Sequence, residues 1–205
     1  MPDSPTACSV AYFETRDAVA DPARRHFAAY LAARAATPGP ASFDLLARVG
    51  APGQFALVET GSPDALGNNA AAATLDAALA PQLLAPADRR RHLPLAVAPH
   101  APAATPPAGA IWVLTHVDVV PAHKDSGIAR VRGHAETGRA AKGCLGLDAW
   151  QQADRPNHIT LVEVWSDAPA RDAHRASDAT RGYRADLAPI SGALYDERLY
   201  TRLAP

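Results

Sequence analysis

The chain has little cysteine, no surplus of either charge and no long apolar run, and each shortage excludes a class of protein. Cys8 and Cys144 are its two cysteines, which is too few for a disulfide framework and gives no metal-ligand spacing. A net charge of −1 leaves no basic surface for nucleic acid. No apolar run approaches the roughly 20 residues that span a bilayer, so no membrane partner is expected.

The start of the sequence also lacks a targeting pattern. The segment Met1-Pro2-Asp3-Ser4 has no basic region followed by an apolar core, so no secretory signal is predicted and a cytoplasmic location is expected. Hydrophobic residues make up 48% of the chain and charged residues 20%, which is typical of a globular protein.

What the sequence does contain is a weak internal repeat at a spacing of 104 residues. Residues 39–60 align without a gap on residues 143–164. The matched residues are Gly39 with Gly143, Asp44 with Asp148, Pro52 with Pro156, and Leu57-Val58-Glu59 with Leu161-Val162-Glu163. Self-similarity at this length indicates that one folding unit has been duplicated. A chain of 205 residues accommodates two domains of about 100 residues.

A segment rich in proline and alanine separates the two copies. Residues 98–109 carry prolines that prevent a helix or an interior strand, so they predict a semi-rigid linker. The predicted domains are therefore residues 1–97 and 110–205.

Both domains predict the same order of elements. In the second half we expect strands at 110–120, 144–151, 158–165 and 193–202, a helix at 123–139, a helix from Ser166 or Asp167 to about 180, and a helical turn at 183–188. In the first half we expect strands at 8–16, 42–48, 54–60 and 92–97, with helices at 21–36 and 70–80. Strand-helix-strand-strand-helix-strand is the ferredoxin-like arrangement.

An antiparallel sheet with helices on one face leaves an apolar face that needs a cover. The second copy can supply it. The predicted fold class is thus α+β, with tandem ferredoxin-like units that form an intramolecular dimeric α/β barrel. This internal pseudo-dimer leaves further self-association open.

The segment Leu161-Val162-Glu163-Val164-Trp165-Ser166-Asp167, followed by His174, is the most specific motif. Glu163 and Trp165 are two apart on a strand and therefore share a face. His174 lies on the helix that follows, at a position that faces the sheet. Trp165 and His174 are expected to meet above one small cavity.

This constellation resembles the antibiotic biosynthesis monooxygenase (ABM) superfamily of dimeric α/β barrels. The resemblance covers the second half and rests on Val120-Pro121 at the end of the first strand, Gly143, the Glu-x-Trp-Ser-Asp run at 163–167, and His174. The first half resembles the family through its alignment with the second. The resemblance implies a pocket between sheet and helices, and oxidation of a phenol or hydroquinone by molecular oxygen without metal, flavin or other cofactor.

The resemblance also implies roles for particular residues. His174 would be the catalytic base or hydrogen-bond partner, and Trp165 part of an aromatic wall that binds the substrate. Tyr183 would contact the substrate ring, and Arg181 would pair with a substrate anion. Thr115 is a further candidate for substrate binding. Haem-degrading members of the superfamily use an Asn on this strand, and residues 110–120 contain none.

Other interpretations stay open. The chain could instead bind haem, or bind a small molecule without catalysis. Trp165 and His174 could serve packing alone, and Glu163 could be structural, since Glu59 is its counterpart in the other half. At the 104-residue offset Gly61 replaces Trp165 and Ala70 replaces His174, so the first half is expected to lack the site.

The remaining histidines predict no second site. His116 and Asp118 share a strand face and could begin an iron site, but no spacing supplies another ligand. His123, His134 and His158 are expected to be solvated.

Overall fold

The computed structural model describes residues 7–16, 20–36, 42–67, 70–97 and 106–203. They form an α+β protein in which two similar sets of elements follow one another. The first set is β1 (Ala7–Glu14), α1 (Ala20–Ala35), β2 (Ser42–Arg48), β3 (Gln54–Gly61), α2 (Pro63–Gly67), α3 (Ala70–Leu79) and β4 (Asp88–Ala96). The second set is β5 (Ile111–Asp118), α4 (Lys124–Gly138), β6 (Cys144–Gln152), β7 (His158–Trp165), α5 (Ala168–Arg175), α6 (Asp178–Leu187) and β8 (Asp196–Arg202).

Each set builds a four-stranded antiparallel sheet with the same strand order. β3 pairs with β1 and β2, and β1 also pairs with β4, which gives the order β2-β3-β1-β4. β7 pairs with β5 and β6, and β5 also pairs with β8, which gives β6-β7-β5-β8. With helices connecting the strands, this is the ferredoxin-like arrangement. The prediction of an α+β fold with tandem ferredoxin-like units is confirmed.

The 104-residue offset holds for whole elements. β1 and β5 begin and end 104 residues apart, and so do β3 and β7. α1 and α4 begin at Ala20 and Lys124, which are also 104 residues apart. The correspondence therefore holds at one offset for the described elements between Ala7 and Gly61, and it reaches further than the alignment of residues 39–60. Each described residue of these elements has a counterpart in the other copy.

The core of each unit lies between its sheet and its helices. Along β7, Ile159, Leu161 and Trp165 lie on one face, because side chains alternate along a strand. They belong to one buried cluster with Val131 and Ala135 of α4. The spacing of those two residues, four apart on the helix, is the periodicity that predicted an amphipathic helix here.

The prediction of one helix from 166 or 167 to about 180 is wrong. The chain forms two helices, and the first ends at Arg175. Asp167 caps α5, because its carboxylate accepts a hydrogen bond from the Ala170 amide at 2.8 Å. Ser177 caps α6 in the same way, with the Thr180 amide at 3.2 Å. The second cap ends the first helix, and it also sets which residues of α6 face the sheet.

Two compact units make up the chain: residues 1–92 with 202–205, and residues 93–201. The site described below lies within the second unit. The predicted boundaries at 97 and 110 stay a prediction, since residues 98–105 of the predicted linker lie outside the described residues. Among the helices that the structure describes, none is both long enough and apolar enough to cross a membrane.

Candidate functional site

The second unit has smaller core residues than the first at matched positions. Phe27 of α1 is fully buried and contacts the rings of Phe13 at 5.1 Å and Phe55 at 5.0 Å between centroids. At the 104-residue offset these three phenylalanines are replaced by the buried residues Val117, Val131 and Ile159. Leu31 is likewise replaced by Ala135. Loss of this volume leaves room between sheet and helices, and four other rings occupy it.

The first two of these rings are those of Trp165 and His174. Trp165 ends β7 and has no exposed surface. Its indole stacks on the His174 imidazole with 4.6 Å between centroids and 28° between planes. Gly138, the last residue of α4, makes this approach possible, because a Cβ there would lie 3.1 Å from Cε1 of His174. The structure therefore brings together the two residues that the motif predicted.

His134 and Tyr183 form the second ring pair. Their rings are 4.0 Å apart and 4° from parallel, and His134 lies 5.4 Å from His174. The prediction that His134 is solvated is wrong, since it is 7% exposed. Its position could have been found from the helix pattern, because it follows the buried Val131 by three residues. The four rings form a continuous series, with the two imidazoles in its middle.

Glu163 forms a hydrogen bond with the indole of Trp165. Nε1 of Trp165 donates a hydrogen bond to Oε2 of Glu163 at 2.9 Å. Burial raises the pKa of Glu163 to about 7, against the lowering effect of this hydrogen bond; nearby Glu197 raises the pKa further. The carboxyl group is thus near half-protonated at neutral pH.

Both imidazoles are neutral at pH 7. Burial lowers the pKa of His134 to about 4, and electrostatic repulsion by the Arg184 guanidinium, and by His174 when it is protonated, lowers the pKa further. Burial also lowers the pKa of His174, again with help from Arg184. Nε2 of His174 lies 3.3 Å from Oγ1 of Thr180. A neutral imidazole can accept a proton, so His174 has the protonation state that a general base needs.

Tyr183 and Tyr195, in contrast, have raised pKa values. Burial raises the pKa of Tyr195 to about 12, and it raises the pKa of Tyr183 well above the usual 10. Both phenols therefore keep their protons at neutral pH and can act as hydrogen-bond donors. The two rings meet edge to face at 6.4 Å.

A cavity of about 10 Å³ lies beside the imidazoles, which is room for roughly one water molecule. His134, His174, Glu163, Thr180 and Tyr195 line its inner side. Its outer side consists of charged residues, namely Arg171, Arg175, Arg184 and Glu197. A ring-sized ligand can enter only if some of these outer side chains move.

The other predicted residues have different positions. Trp165 and Tyr183 do not line the cavity, because each lies behind an imidazole. Thr115 of β5 is fully buried, and the proximity of its hydroxyl to Tyr195 acts to lower the pKa of that phenol. Arg181 lies outside the cavity lining: its side chain is 62% exposed and pairs with Asp178.

Arg181 lies away from the cavity because it is not on the face of α6 that packs against the rest of the unit. Thr180, Tyr183 and Leu187 are the buried residues of this helix, spaced by three and four. Arg184 lies four residues after Thr180 and lines the cavity, whereas Arg181 points away. With the cap at Ser177 known, this spacing identifies Arg184. Arg171 and Glu197 were also missed, and no local pattern links them, because they are 26 residues apart.

The matched position in the first unit is filled by an ion pair. Tyr30 donates a hydrogen bond to Oε1 of Glu59 at 2.8 Å, and Nε of Arg34 lies 3.4 Å from the same oxygen. Arg34 and Glu59 side chains are 5% and 4% exposed. At the 104-residue offset Tyr30 corresponds to His134, and Arg34 to Gly138. The space that His174 uses in one unit thus corresponds to a buried guanidinium in the other.

A second depression and the possible metal ligands were the other candidates for a site. A larger depression of about 410 Å³ lies in the first unit around Thr15, Gly53 and Leu84, but it holds none of the predicted site residues. Within the described ranges, no three His, Cys, Asp or Glu side chains are placed to hold a metal ion. The Trp165–His174 region is where aromatic and titratable groups converge, so it is the candidate site.

Comparison with known proteins gives a family match over much of the second unit. Residues 110–186 match the family model described as antibiotic biosynthesis monooxygenase. None of the curated proteins compared with the chain matches it.

Solved structures are similar over nearly the whole chain. A "putative monooxygenase" of Fusobacterium nucleatum subsp. nucleatum has a TM-score of 0.82 at 15% identity, covering 98% of this chain and 94% of that one. A protein of the same description from Lactobacillus acidophilus has 0.74 at 12%, covering 97% and 94%. An anthrone oxidase-like protein has 0.73 at 11%, covering 98% and 92%. At these identities the likeness establishes the fold. Residues 110–186 thus resemble the antibiotic biosynthesis monooxygenase family, within a tandem fold shared with these structures.

Proposed function

We propose that the second unit is a monooxygenase that oxidises a small phenolic or hydroquinone-type aromatic with molecular oxygen and without a cofactor. The family of residues 110–186 supports a monooxygenase-type role. The observation that carries the proposal is the His174 imidazole, which stacks on Trp165 at the wall of a small cavity. The likeness to an anthrone oxidase-like protein is consistent with an electron-rich aromatic substrate.

The reaction begins with proton transfer. The substrate hydroxyl gives its proton to His174, and the resulting anion donates one electron to oxygen. The two radicals combine at a ring carbon, and the hydroperoxide loses water. Overall, a dihydroxynaphthalene and one O₂ give a hydroxynaphthoquinone and one water. One oxygen atom enters the product, and the other leaves with the two hydrogens that the substrate loses.

The protein's contribution is to bind the ring, accept the proton and keep water out. The substrate ring would lie against the two imidazoles, with Trp165 and Tyr183 stacked behind them. Glu163 is a positioning residue, since its hydrogen bond fixes the plane of the indole. The buried tyrosines keep their protons and so do not compete for oxidation as phenolates.

Oxygen consumption with 1,4-dihydroxynaphthalene and with anthrone tests the proposal. We expect enzyme-dependent uptake, and one atom of ¹⁸O from ¹⁸O₂ in the product. His174→Ala should reduce the rate by about 10²-fold or more, which is the usual contribution of a general base. His158→Ala is the matched control, because His158 lies outside the cavity in the same unit.

Two outcomes would contradict the proposal. One is an absence of oxygen uptake with either substrate. The other is an equal rate for the His174→Ala variant and the wild type, which would remove the assigned base. Titration with haemin distinguishes the haem alternative, since a stoichiometric Soret shift would favour it.

A further inference from the structure

Two arginines in the cavity hold one carboxylate between them. Arg171 of α5 contacts Oε1 of Glu197, and Arg184 of α6 contacts Oε2. Nε of Arg175 lies 3.8 Å from Oε1 of the same residue. Glu197 is on β8, so three separate elements supply this cluster.

The cluster has more positive than negative charge. Three guanidiniums surround the Glu197 carboxylate, and the neighbouring imidazoles are neutral. Arg171 has a second partner in Asp172 at 2.7 Å, but that side chain is 65% exposed and therefore weakly coupled. The side chains of Arg171 and Glu197 are only 12% and 15% exposed. A guanidinium with as little contact with water as that of Arg171 favours a bound anion.

The first unit has an ion pair at the matching place, with the two charges exchanged. The last helix and the last strand of the first unit begin 108 residues before α6 and β8, so Asp76 corresponds to Arg184 and Arg89 to Glu197. Asp76 and Arg89 pair at 2.6 Å. In the second unit, Arg171 and Arg175 bring two further guanidiniums to the carboxylate. This additional positive charge favours a role in binding an anion.

We propose that the substrate is a phenolic aromatic that carries a carboxylate, and that this carboxylate replaces that of Glu197 between Arg171 and Arg184. The inference deepens the function proposed above and rests on it. Arg171 and Arg184 each donate to a different oxygen of Glu197, so Glu197 already makes the charge-assisted hydrogen bonds that a ligand carboxylate would make. The imidazoles and the arginines line one cavity, so an aromatic acid can reach both.

The exchange also explains how a ring could enter. The cavity holds roughly one water while Glu197 is paired. When a ligand carboxylate takes its place, the Glu197 side chain is released toward solvent, and the volume beside the imidazoles increases. A neutral aromatic offers no such exchange, and it would have to break the ion pairs without replacing them.

The test compares two ligands that differ by one carboxylate. Binding of hydroquinone and of 2,5-dihydroxybenzoate is measured by calorimetry under argon, where neither is oxidised. We expect the wild type to bind 2,5-dihydroxybenzoate at least about tenfold more tightly. Arg184→Gln should reduce this preference to about threefold or less, and Arg171→Gln should act in the same direction.

Glu197→Gln gives the sharpest result, because its expected effect has the opposite sign. Removing the internal competitor should tighten binding of 2,5-dihydroxybenzoate by about threefold or more, with little change for hydroquinone. A purely structural Glu197 would give weaker binding of both ligands when replaced. Asp172→Asn is the matched control and should change neither affinity, since Asp172 pairs with Arg171 outside the cavity.

The inference is overturned if the two ligands bind equally, if 2,5-dihydroxybenzoate does not bind, or if Glu197→Gln weakens its binding. Measurement of oxygen uptake distinguishes a failure of the proposed carboxylate site from a failure of the proposed monooxygenase activity. Selective binding of 2,5-dihydroxybenzoate without any oxidation would support the anion site and contradict the monooxygenase. If the protein oxidises dihydroxyarenes but does not prefer the ligand with a carboxylate, the monooxygenase is supported and the anion site is contradicted.

Discussion

Gly138 at the end of α4 and His174 on α5 are packed so closely that no side chain fits between them. A Cβ on Gly138 would lie 3.1 Å from Cε1 of His174 and 2.5 Å from Cδ1 of Leu147. The imidazole can stack on Trp165 only because this position has no side chain. The base of the proposed reaction thus depends on a residue that contributes no chemistry of its own.

Gly138→Ala should therefore displace His174 or Leu147. We expect a loss of roughly 1–3 kcal/mol in the free energy of unfolding, as for other overpacked cores, and a lower rate of oxygen uptake. Gly133→Ala is the control on the same helix, because nothing lies within 4 Å of its added Cβ. It should stabilise the protein by about 0.5–1 kcal/mol, from helix propensity alone. Urea denaturation measures both, and equal effects would show that the contact is not restrictive.

Replacing Glu163 should change how stability depends on pH. Its pKa rises from 4.5 in the unfolded chain to about 7 when folded, so between these values the folded state binds more protons. The free energy of unfolding therefore falls as pH rises from 4.5 to 7, by about 3 kcal/mol in total from this group. Above pH 7 it contributes no further change.

In the Glu163→Gln variant this decline should disappear from denaturation curves recorded at pH 4.5 to 7.5. Arg171, Arg184 and Glu197 face the same carboxyl group and stay in place, so the comparison isolates Glu163. The exposed Glu136 on α4 is the control, and Glu136→Gln should keep the wild-type slope. An unchanged slope for Glu163→Gln would mean that the carboxyl is ionised throughout.

His134 should make the free energy of unfolding rise with pH between about 4 and 6.5, which is opposite in sign to the effect of Glu163. Its pKa falls from 6.5 in the unfolded chain to about 4 when folded, so the unfolded state binds more protons in between. Stability from this group is complete above pH 6.5 and falls by about 3 kcal/mol as pH decreases to 4. His134→Gln should flatten this limb of the profile, whereas replacement of the exposed His123 should not. A wild-type slope in His134→Gln would refute the assignment.

The ion pair of the first unit should show strong coupling. Arg34→Met leaves the buried Glu59 carboxylate without its guanidinium, at a cost of about 3–5 kcal/mol. The double variant Arg34→Met/Glu59→Gln should recover part of this loss, because Tyr30 can still donate to the amide oxygen that replaces the carboxylate. A double-mutant cycle by urea denaturation measures the coupling. Additive losses would indicate that the pair is not a unit.

The fold could be predicted because its signals are local and occur twice. Strand and helix periodicity gave the element order, and the repeat at 104 residues linked the two halves. The Trp165–His174 pair could also be predicted, since both residues lie within ten positions of one strand end. The site was harder to predict where it depended on a helix cap. Without the break at Ser177, the inward face of α6 could not be assigned, and Arg181 was chosen in place of Arg184.

Contacts between distant elements escaped prediction for a different reason. His134 is separated from Tyr183 by 49 residues of sequence, and only the folded unit brings their rings together. The same holds for Glu197 and its arginines. The sequence did signal the substitution of His134 for Tyr30 through the repeat, but its meaning depends on knowing that Tyr30 binds Glu59.

The buried pair of Arg34 and Glu59 also has an evolutionary consequence. To open a cavity at this position, the first copy would have to lose the guanidinium, and that single step leaves a carboxylate in the interior without its charged partner, at a cost in stability. The carboxylate cannot go first either, since the arginine would then be the stranded group. The two residues are therefore kept together, and a cavity can form in the first copy only if both are replaced at the same time.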